Sequence, residues 1–340
     1  MSIGKHLKGR NILITGGPGF IGHHVVEHLL KNTDWEIVIL DSLNYAGNLN
    51  RLASISIFEA NRHRIKFVYH DLRAPITGGV ANMIGQVDYI LHLAAETHVD
   101  RSLQDPTLFV HSNVVGTLNM LEFARNYQTY LKRYIQISTD EVYGPAPEGV
   151  NWKEWDRLKP SNPYSATKAG ADCLALAYAN SYKMPIMVTR TMNNFGERQH
   201  PEKFIPKTIR HLLNGEKIII HGTPDNIGSR HWLHARNHAD ALLFLLTHGE
   251  NGEIYNVVGD IELDNLEMAN KIAKVAMNRE LIAEEVEFID FHKSRPGHDR
   301  RYALDGTKIR EMGWKLTVPF DESFERTIKW ALKHKEWLSL

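Results

Sequence analysis

Cysteine is almost absent from this 340-residue chain: one residue, Cys173, cannot close an internal disulfide or build a cysteine-based zinc cluster, and it fits a reducing compartment. Its place in a helical stretch predicts a packing role rather than a nucleophile. An excess of either charge is also missing. The 40 basic residues balance the 40 acidic ones, so no global field draws the chain to nucleic acid or to an anionic membrane, and the expected partner is a small molecule. No apolar run approaches the ~18 residues of a membrane span, and residues 12–14 are far too short for a signal-peptide core, so a cytoplasmic location is expected. The 19 histidines are scattered without HExxH or paired-ligand spacing, so no metal is expected. What is present is a 43% hydrophobic content, enough for one large core or two cooperating domains.

Short β-branched runs alternate with helical spacing through the first half. Residues 11–15, 36–41, 65–69, 89–93, 134–139 and 186–191 read as strands, and 21–31, 110–126 and 164–182 as helices. Strands apolar on both faces and separated by helices imply a parallel sheet covered on both sides, an α/β doubly wound Rossmann fold. From Asn193 onward the pattern loosens around a helix at 207–214 and a strand at 253–258. A smaller, interleaved C-terminal substrate domain is expected: 8–192 with 233–259 form the dinucleotide-binding domain, and 193–232 with 260–335 the other.

Gly16, Gly19 and Gly22 follow the first strand and open the first helix, the context in which backbone can approach a pyrophosphate at a helix N-terminus. Asp41 ends the second strand, where a carboxylate accepts from an adenosine ribose and repels a 2′-phosphate, which favours NAD over NADP. A plain turn and a strand-capping acid are the bland alternative. Asp71-Leu72, after the third strand, fits either a place beside the adenine or an ordinary loop.

Tyr164 and Lys168 are four apart in a helical stretch, hence on one face. An ammonium beside a phenol favours the phenolate and makes it a usable base, although such a pair alone is as easily a surface feature. Here it follows a strand that ends in Ser138-Thr139-Asp140-Glu141, at the sheet edge where ligands bind. The two carboxylates either solvate a loop or supply separate acid and base roles.

These segments together resemble the dTDP-glucose 4,6-dehydratases, extended short-chain dehydrogenase/reductase enzymes. The resemblance is carried in order by TGGPGFIG at 15–22, Asp41 with NYAGN at 44–48, HLAAETHVDRS at 92–102, STDEVYG at 138–144, YSATK at 164–168, NNFG at 193–196, PEKFIP at 201–206 and RPGHDRRYA at 295–303. It implies that Tyr164 takes the proton from the sugar 4-hydroxyl while hydride passes from C4 to NAD, with Thr139 bonding that hydroxyl. Glu141 then removes the C5 proton, protonated Asp140 donates to the departing 6-hydroxyl, and hydride returns to C6. It also implies that Phe20, Ile21, Asn44, Asp71, Leu72, Leu93, Ala94, Ala95 and Ser112 line the NAD site with the glycines and Asp41. Thr97, Thr139, Asn193, Asn194, Lys203, Phe204, Arg230, Asn265, Arg295 and His298 hold the sugar nucleotide, with Arg230 and Arg295 as forks on a diphosphate. A homodimer through a four-helix bundle of 110–126 and 164–182 is the implied assembly.

Several positions depart from that pattern. Glu197 stands where proline is usual and puts a negative charge near the presumed phosphate region; His231 replaces an aspartate; Ser294 replaces an acid; His23 and His24 follow the glycine turn where a small residue is common; and the run LHARNH at 233–238 is unusual. None touches the catalytic set, so the chemistry is firmer than the choice of base and sugar, and another nucleotide hexose such as UDP-glucose is an alternative substrate. A UDP-glucuronate decarboxylase or an epimerase needs no C5 base and C6 acid, so the Asp140-Glu141 pair argues for dehydration. A silent NAD-binding scaffold is disfavoured by the presence of all four reactive side chains.

Overall fold

The computed structural model describes residues 9–289 and 301–339. Seven strands form one parallel sheet: β1 (Asn11–Thr15), β2 (Glu36–Asp41), β3 (Ile65–Tyr69), β4 (Tyr89–His92), β5 (Arg133–Thr139), β6 (Ile186–Thr191) and β11 (Ile254–Val257), in the order β11-β6-β5-β4-β1-β2-β3. Alternation along β1 explains why both faces are covered. Ile12 and Ile14 join a core beneath the helices Phe20–Asn32 and Ala235–His248, whereas Leu13 points to a second core shared with Gly116–Tyr127 and Pro163–Tyr182. The doubly wound Rossmann architecture is as expected.

The order reverses between β1 and β4, and register aligns the strand ends there: Thr15 pairs with both Leu40 and His92, and Thr139 with Thr191. The residues leaving these strands therefore border one crevice, the place where open parallel sheets bind ligands.

After β6 the chain leaves this sheet. It forms β7 (Asn193–Phe195), which pairs with β10 (Ser229–His234); β10 in turn carries β12 (Ile261–Asp264) and β14 (Arg301–Tyr302). A further small sheet joins β8 (Ile218–Thr223), β9 (Asn226–Ile227) and β13 (Val286–Ile289). The helices Phe204–Asn214, Asn265–Met277 and Phe320–Lys333 close a separate core around Phe195, Ile209, Trp232, Met268 and Ile328. Between these pieces Ala235–His248 and β11 return to the large sheet, so the smaller unit is interleaved.

Two expectations are corrected. Residues 110–126 do not form one uniform helix: a π-helical turn, Val110–Val115, runs into Gly116–Tyr127. The buried Asn113 side chain accepts from the Glu96 amide at 2.8 Å and donates to Glu96 O at 3.1 Å and Thr167 Oγ1 at 2.9 Å, tying the wide turn to the crevice and to the helix Pro163–Tyr182. Such bulges recur at functional sites because they re-aim side chains. Cys173 is exposed on that last helix and packs in no core.

Candidate active site

The first cavity is built on the glycine turn. Gly16 has φ +74°, and a Cβ there would lie 2.9 Å from the Ala94 amide nitrogen; a Cβ on Gly22 would meet Gly16 O at 2.0 Å. Only hydrogen at these positions lets β1, the turn and the helix approach one another. The helix Phe20–Asn32 starts at Gly19 without a side-chain cap, which leaves first-turn amides for an anion. Every residue expected at the NAD site from Gly16 to Ser112 lines this cavity: Gly16, Gly19, Phe20, Ile21, Gly22, Asp41, Asn44, Asp71, Leu72, Leu93, Ala94, Ala95 and Ser112. Burial raises the Asp41 carboxyl against the hydrogen bonds it accepts from the Leu43 and Ser42 amides. Asp71 is held by Arg73 through Nε at 2.9 Å and Nη2 at 2.5 Å.

The second cavity joins the first along Phe20, Ile21, Ala95, Thr97 and Lys203. Its wall carries Thr139, Glu141, Tyr164 and Lys168 with Thr97, Asn193, Asn194, Lys203 and Phe204. The helix Pro163–Tyr182 begins at a reciprocal capping box between Asn162 and Ser165, with Pro163 in its first turn; this fixes where Tyr164 emerges. Lys168 Nζ donates to Ile137 O at 2.7 Å, and burial lowers its pKa to about 8. Burial raises the Tyr164 phenol, Glu141 adds to this, and a hydrogen bond with Thr139 opposes it. Thr139 Oγ1 also donates to Asp140 Oδ1 at 3.0 Å. Asp140 is almost fully buried, and burial followed by the charge of Glu141 pushes its pKa up to about 7. Glu141 is more accessible and accepts from Asn162 Nδ2 at 3.4 Å and Tyr302 OH at 3.5 Å. Two adjacent carboxyls thus occupy unlike surroundings, the condition for one to be acid while the other is base.

A family model described as GDP-mannose 4,6 dehydratase matches residues 13–327. The chain belongs to the nucleotide-sugar 4,6-dehydratase family. It is 41% identical to the low-salt glycan biosynthesis protein Agl12 of Haloferax volcanii, over 96% of this chain and 100% of that one. It is likewise 41% identical to a dTDP-glucose 4,6-dehydratase of Escherichia coli, over 96% and 94%. The solved structure of DesIV, a dTDP-glucose 4,6-dehydratase from Streptomyces venezuelae with NAD bound, superposes with a TM-score of 0.86 at 37% identity, covering 96% of this chain and 98% of that one.

Within this nucleotide-sugar 4,6-dehydratase, other expected residues fall differently. Arg230 is buried with its guanidinium 4.6 Å over the Tyr302 ring, where its charge favours ionised Asp140; neither it nor Asn265 lines the two cavities among the described residues. Asn265 opens the helix Asn265–Met277, its amide donating to Gly228 O. Asp140 is 3% exposed, between Thr139 and Glu141, which line the second cavity. Arg295, His298 and Ser294 lie outside the described residues. Glu197 sits in a buried ionic cluster. It is 2% exposed and lines neither large cavity, with Arg236 at 3.1 Å, Arg326 at 3.3 Å and His234 at 3.3 Å. Burial opposes its ionisation, but His234 and Arg236 outweigh that and keep it charged. His24 stacks edge-on against His234, so the departures at 24, 197 and 234 form one buried network between the first helix and the smaller unit.

Local spacing had no means of pointing to some wall residues. Arg51 Nη1 donates to Pro18 O at 3.1 Å and Ala46 O at 2.5 Å, and its Nε to Arg198 O at 3.0 Å, stitching the glycine turn to two loops. Tyr45 stacks beneath Arg101 at 3.5 Å and donates to Glu202 at 3.3 Å across the cofactor cavity. Lys207, His211, His221 and Trp232 complete the far end of the second cavity. No signal short of the fold joins residues so far apart in sequence.

Proposed function

We propose that this chain converts dTDP-glucose to dTDP-4-keto-6-deoxyglucose as an NAD-dependent 4,6-dehydratase. The observation that carries the reading is the unlike environment of Asp140 and Glu141 beside Tyr164, Lys168 and Thr139. The glycine turn, the uncapped helix start and Asp41 suit NAD, which when bound supplies the hydride acceptor for C4 and the donor for C6. Asn44, Asp71, Leu72, Leu93, Ala94, Ala95 and Ser112 hold it from the remaining walls.

Tyr164 takes the proton of the 4-hydroxyl, and Lys168 favours its phenolate. Thr139 holds the same hydroxyl and, being short and neutral, tolerates the ketone that replaces it. The ketone acidifies C5, whose proton Glu141 removes. Asp140, protonated near neutrality, gives its proton to the 6-hydroxyl, so that water leaves. Thr97, Asn193, Asn194, Lys203 and Phe204 hold the sugar nucleotide from the cavity wall, and the family resemblance alone adds Arg230, Asn265, Arg295 and His298. The proposed domain division sets 8–192 with 233–259 against 193–232 with 260–335; β11 pairs in the large sheet and β7 in the small one, while the boundary after 232 falls inside β10.

The purified protein is expected to give a 4-keto product from dTDP-glucose, with UDP-glucose as the parallel substrate. The reading fails if neither yields one while UDP-glucuronate loses CO₂.

A homodimer is the proposed assembly. Val110, Leu118, Tyr127 and Tyr182 are exposed apolar side chains on the adjacent segments Val110–Val115, Gly116–Tyr127 and Pro163–Tyr182, the stripe a four-helix seam buries. Sedimentation should show a dimer for the parent and a monomer for Leu118→Glu; an unchanged species for both removes this face from consideration. No helix among the described residues is long and apolar enough to cross a membrane, and a cytoplasmic site of action is part of the proposal.

A further inference from the structure

One face of the helix Pro163–Tyr182 carries Tyr164, Lys168 and, one turn further, Asp172. Asp172 is wholly buried and lines neither cavity. Arg190 on β6, 2% exposed, donates from Nε to Asp172 Oδ2 at 3.0 Å. Arg190 is itself held: Nη1 donates to Tyr143 OH at 2.7 Å and Glu154 O at 3.1 Å, and Tyr143 OH donates to Asn256 Oδ1 at 3.1 Å.

A buried ion pair is a poor stabilising device, since taking both charges out of water offsets most of their attraction, and apolar replacements are often neutral or better. Its position one turn behind a catalytic ammonium gives it a second use. Lys168 makes a neutral hydrogen bond to Ile137 O, and burial alone favours loss of its proton. The groups facing the pair from the packed elements are few. Arg190, Tyr143 and Glu154 stand behind Asp172, Ser138 faces it from β5, and Asp140, Glu141 and Tyr164 lie at the cavity end. On β4, His92 is buried and its pKa is lowered to about 3 by burial and then by Lys168, so near neutrality it carries no competing charge. Asp172 is thus the anion placed to oppose the desolvation of Lys168; burial raises the Asp172 carboxyl, and the Arg190 guanidinium is the largest influence opposing that rise.

We propose that Asp172, held by Arg190, is a positioning residue that keeps Lys168 an ammonium in the site. The proposal rests on the reading of Tyr164 and Lys168 as the pair acting on the 4-hydroxyl. It extends the reactive set one turn into the protein, to a residue that never meets the sugar.

The test uses NAD-loaded protein carrying isotope-labelled lysine, with the Lys168 signal assigned by its loss in Lys168→Met. The parent signal should titrate with a midpoint near about 8. Asp172→Asn, which keeps the shape, should lower that midpoint by about one pH unit or more, the usual effect of losing an opposite charge at close range. The basic limb of 4-keto product formation from dTDP-glucose should move down with it. Because Asp172→Asn leaves the Arg190 charge uncompensated, the double variant Asp172→Asn/Arg190→Gln removes both charges, and it should still shift downward, by less than Asp172→Asn alone, since the guanidinium's repulsion is gone too. Asp172→Glu, which keeps the charge, should titrate close to the parent. Unmoved midpoints with a uniformly lower rate would overturn the proposal, as would Asp172→Glu shifting as far as Asp172→Asn. If the parent turns over no sugar nucleotide, the dehydratase reading falls, while the lysine titration still decides this one.

Discussion

Glu141→Gln is expected to lower formation of the 4-keto-6-deoxy product by about 10²–10⁴-fold, the usual contribution of a positioned general base. The amide keeps the shape of the carboxylate and its place against Asn162 and Tyr302, so folding and nucleotide binding should survive. The first half of the reaction uses Tyr164 and should persist. The variant should therefore stall with C4 oxidised: nicotinamide absorbance rises on mixing with dTDP-glucose and does not return, and C5 exchange with deuterated water is lost. Full turnover in Glu141→Gln would transfer the C5 role to another group. Loss of the absorbance change itself would mean that Glu141 serves the first step.

Asp140→Asn carries the second large effect, and it has a pH signature. Burial and the neighbouring Glu141 push the Asp140 pKa up to about 7, so the protonated acid predominates below that value and is lost as pH rises through it. Elimination in the parent should slow on the alkaline side, by about tenfold per pH unit well above the midpoint when proton donation limits the rate. Asp140→Asn should lose about 10²-fold or more and show no such limb. The same shift bears on stability. The folded pKa lies above the unfolded one, so the folded state binds the extra proton, and this contribution is complete below about pH 4 and lost as pH approaches and passes 7. Asp140→Asn cannot ionise and should gain thermal stability relative to the parent at alkaline pH, as a melting series in pH would show. A limb that stays in place in Asp140→Asn would assign it to another group, with Lys168 the first to examine.

Much of the architecture was legible before any coordinates. Most strands from β1 to β6 announce themselves because they are short runs buried on both faces, as a parallel sheet between two helical layers requires, while β3 at the sheet edge keeps Lys66 and Tyr69 exposed. The glycine turn was legible because its requirement is local: Gly16 O lies where a Cβ of Gly22 would sit. Tyr164 and Lys168 were legible as a pair because helical geometry brings i and i+4 together whatever the fold.

Glu197 shows where such reading ends. Its neighbours in sequence suggest a ligand loop, yet its actual neighbours are His234, Arg236 and Arg326, up to 129 residues away. A charge changes meaning with what surrounds it, and nothing local specifies that surrounding. Cys173 is a simpler case: helical periodicity places it on a face, but only the packing of the helix decides that this face is exposed. The π-helical turn at Val110–Val115 likewise depends on Asn113 reaching Glu96 and Thr167, contacts made across the fold.

By itself, then, the order of residues determined the elements, the glycine turn and which side chains could do chemistry, because backbone sterics and helix or strand periodicity act over a few residues. What the tertiary structure alone decided is that two neighbouring carboxyls sit in unlike surroundings. Asp140 and Glu141 are adjacent and chemically alike, and only burial, set by strands and loops brought together from distant parts of the chain, pushes the Asp140 carboxyl up while Glu141 stays on the cavity wall.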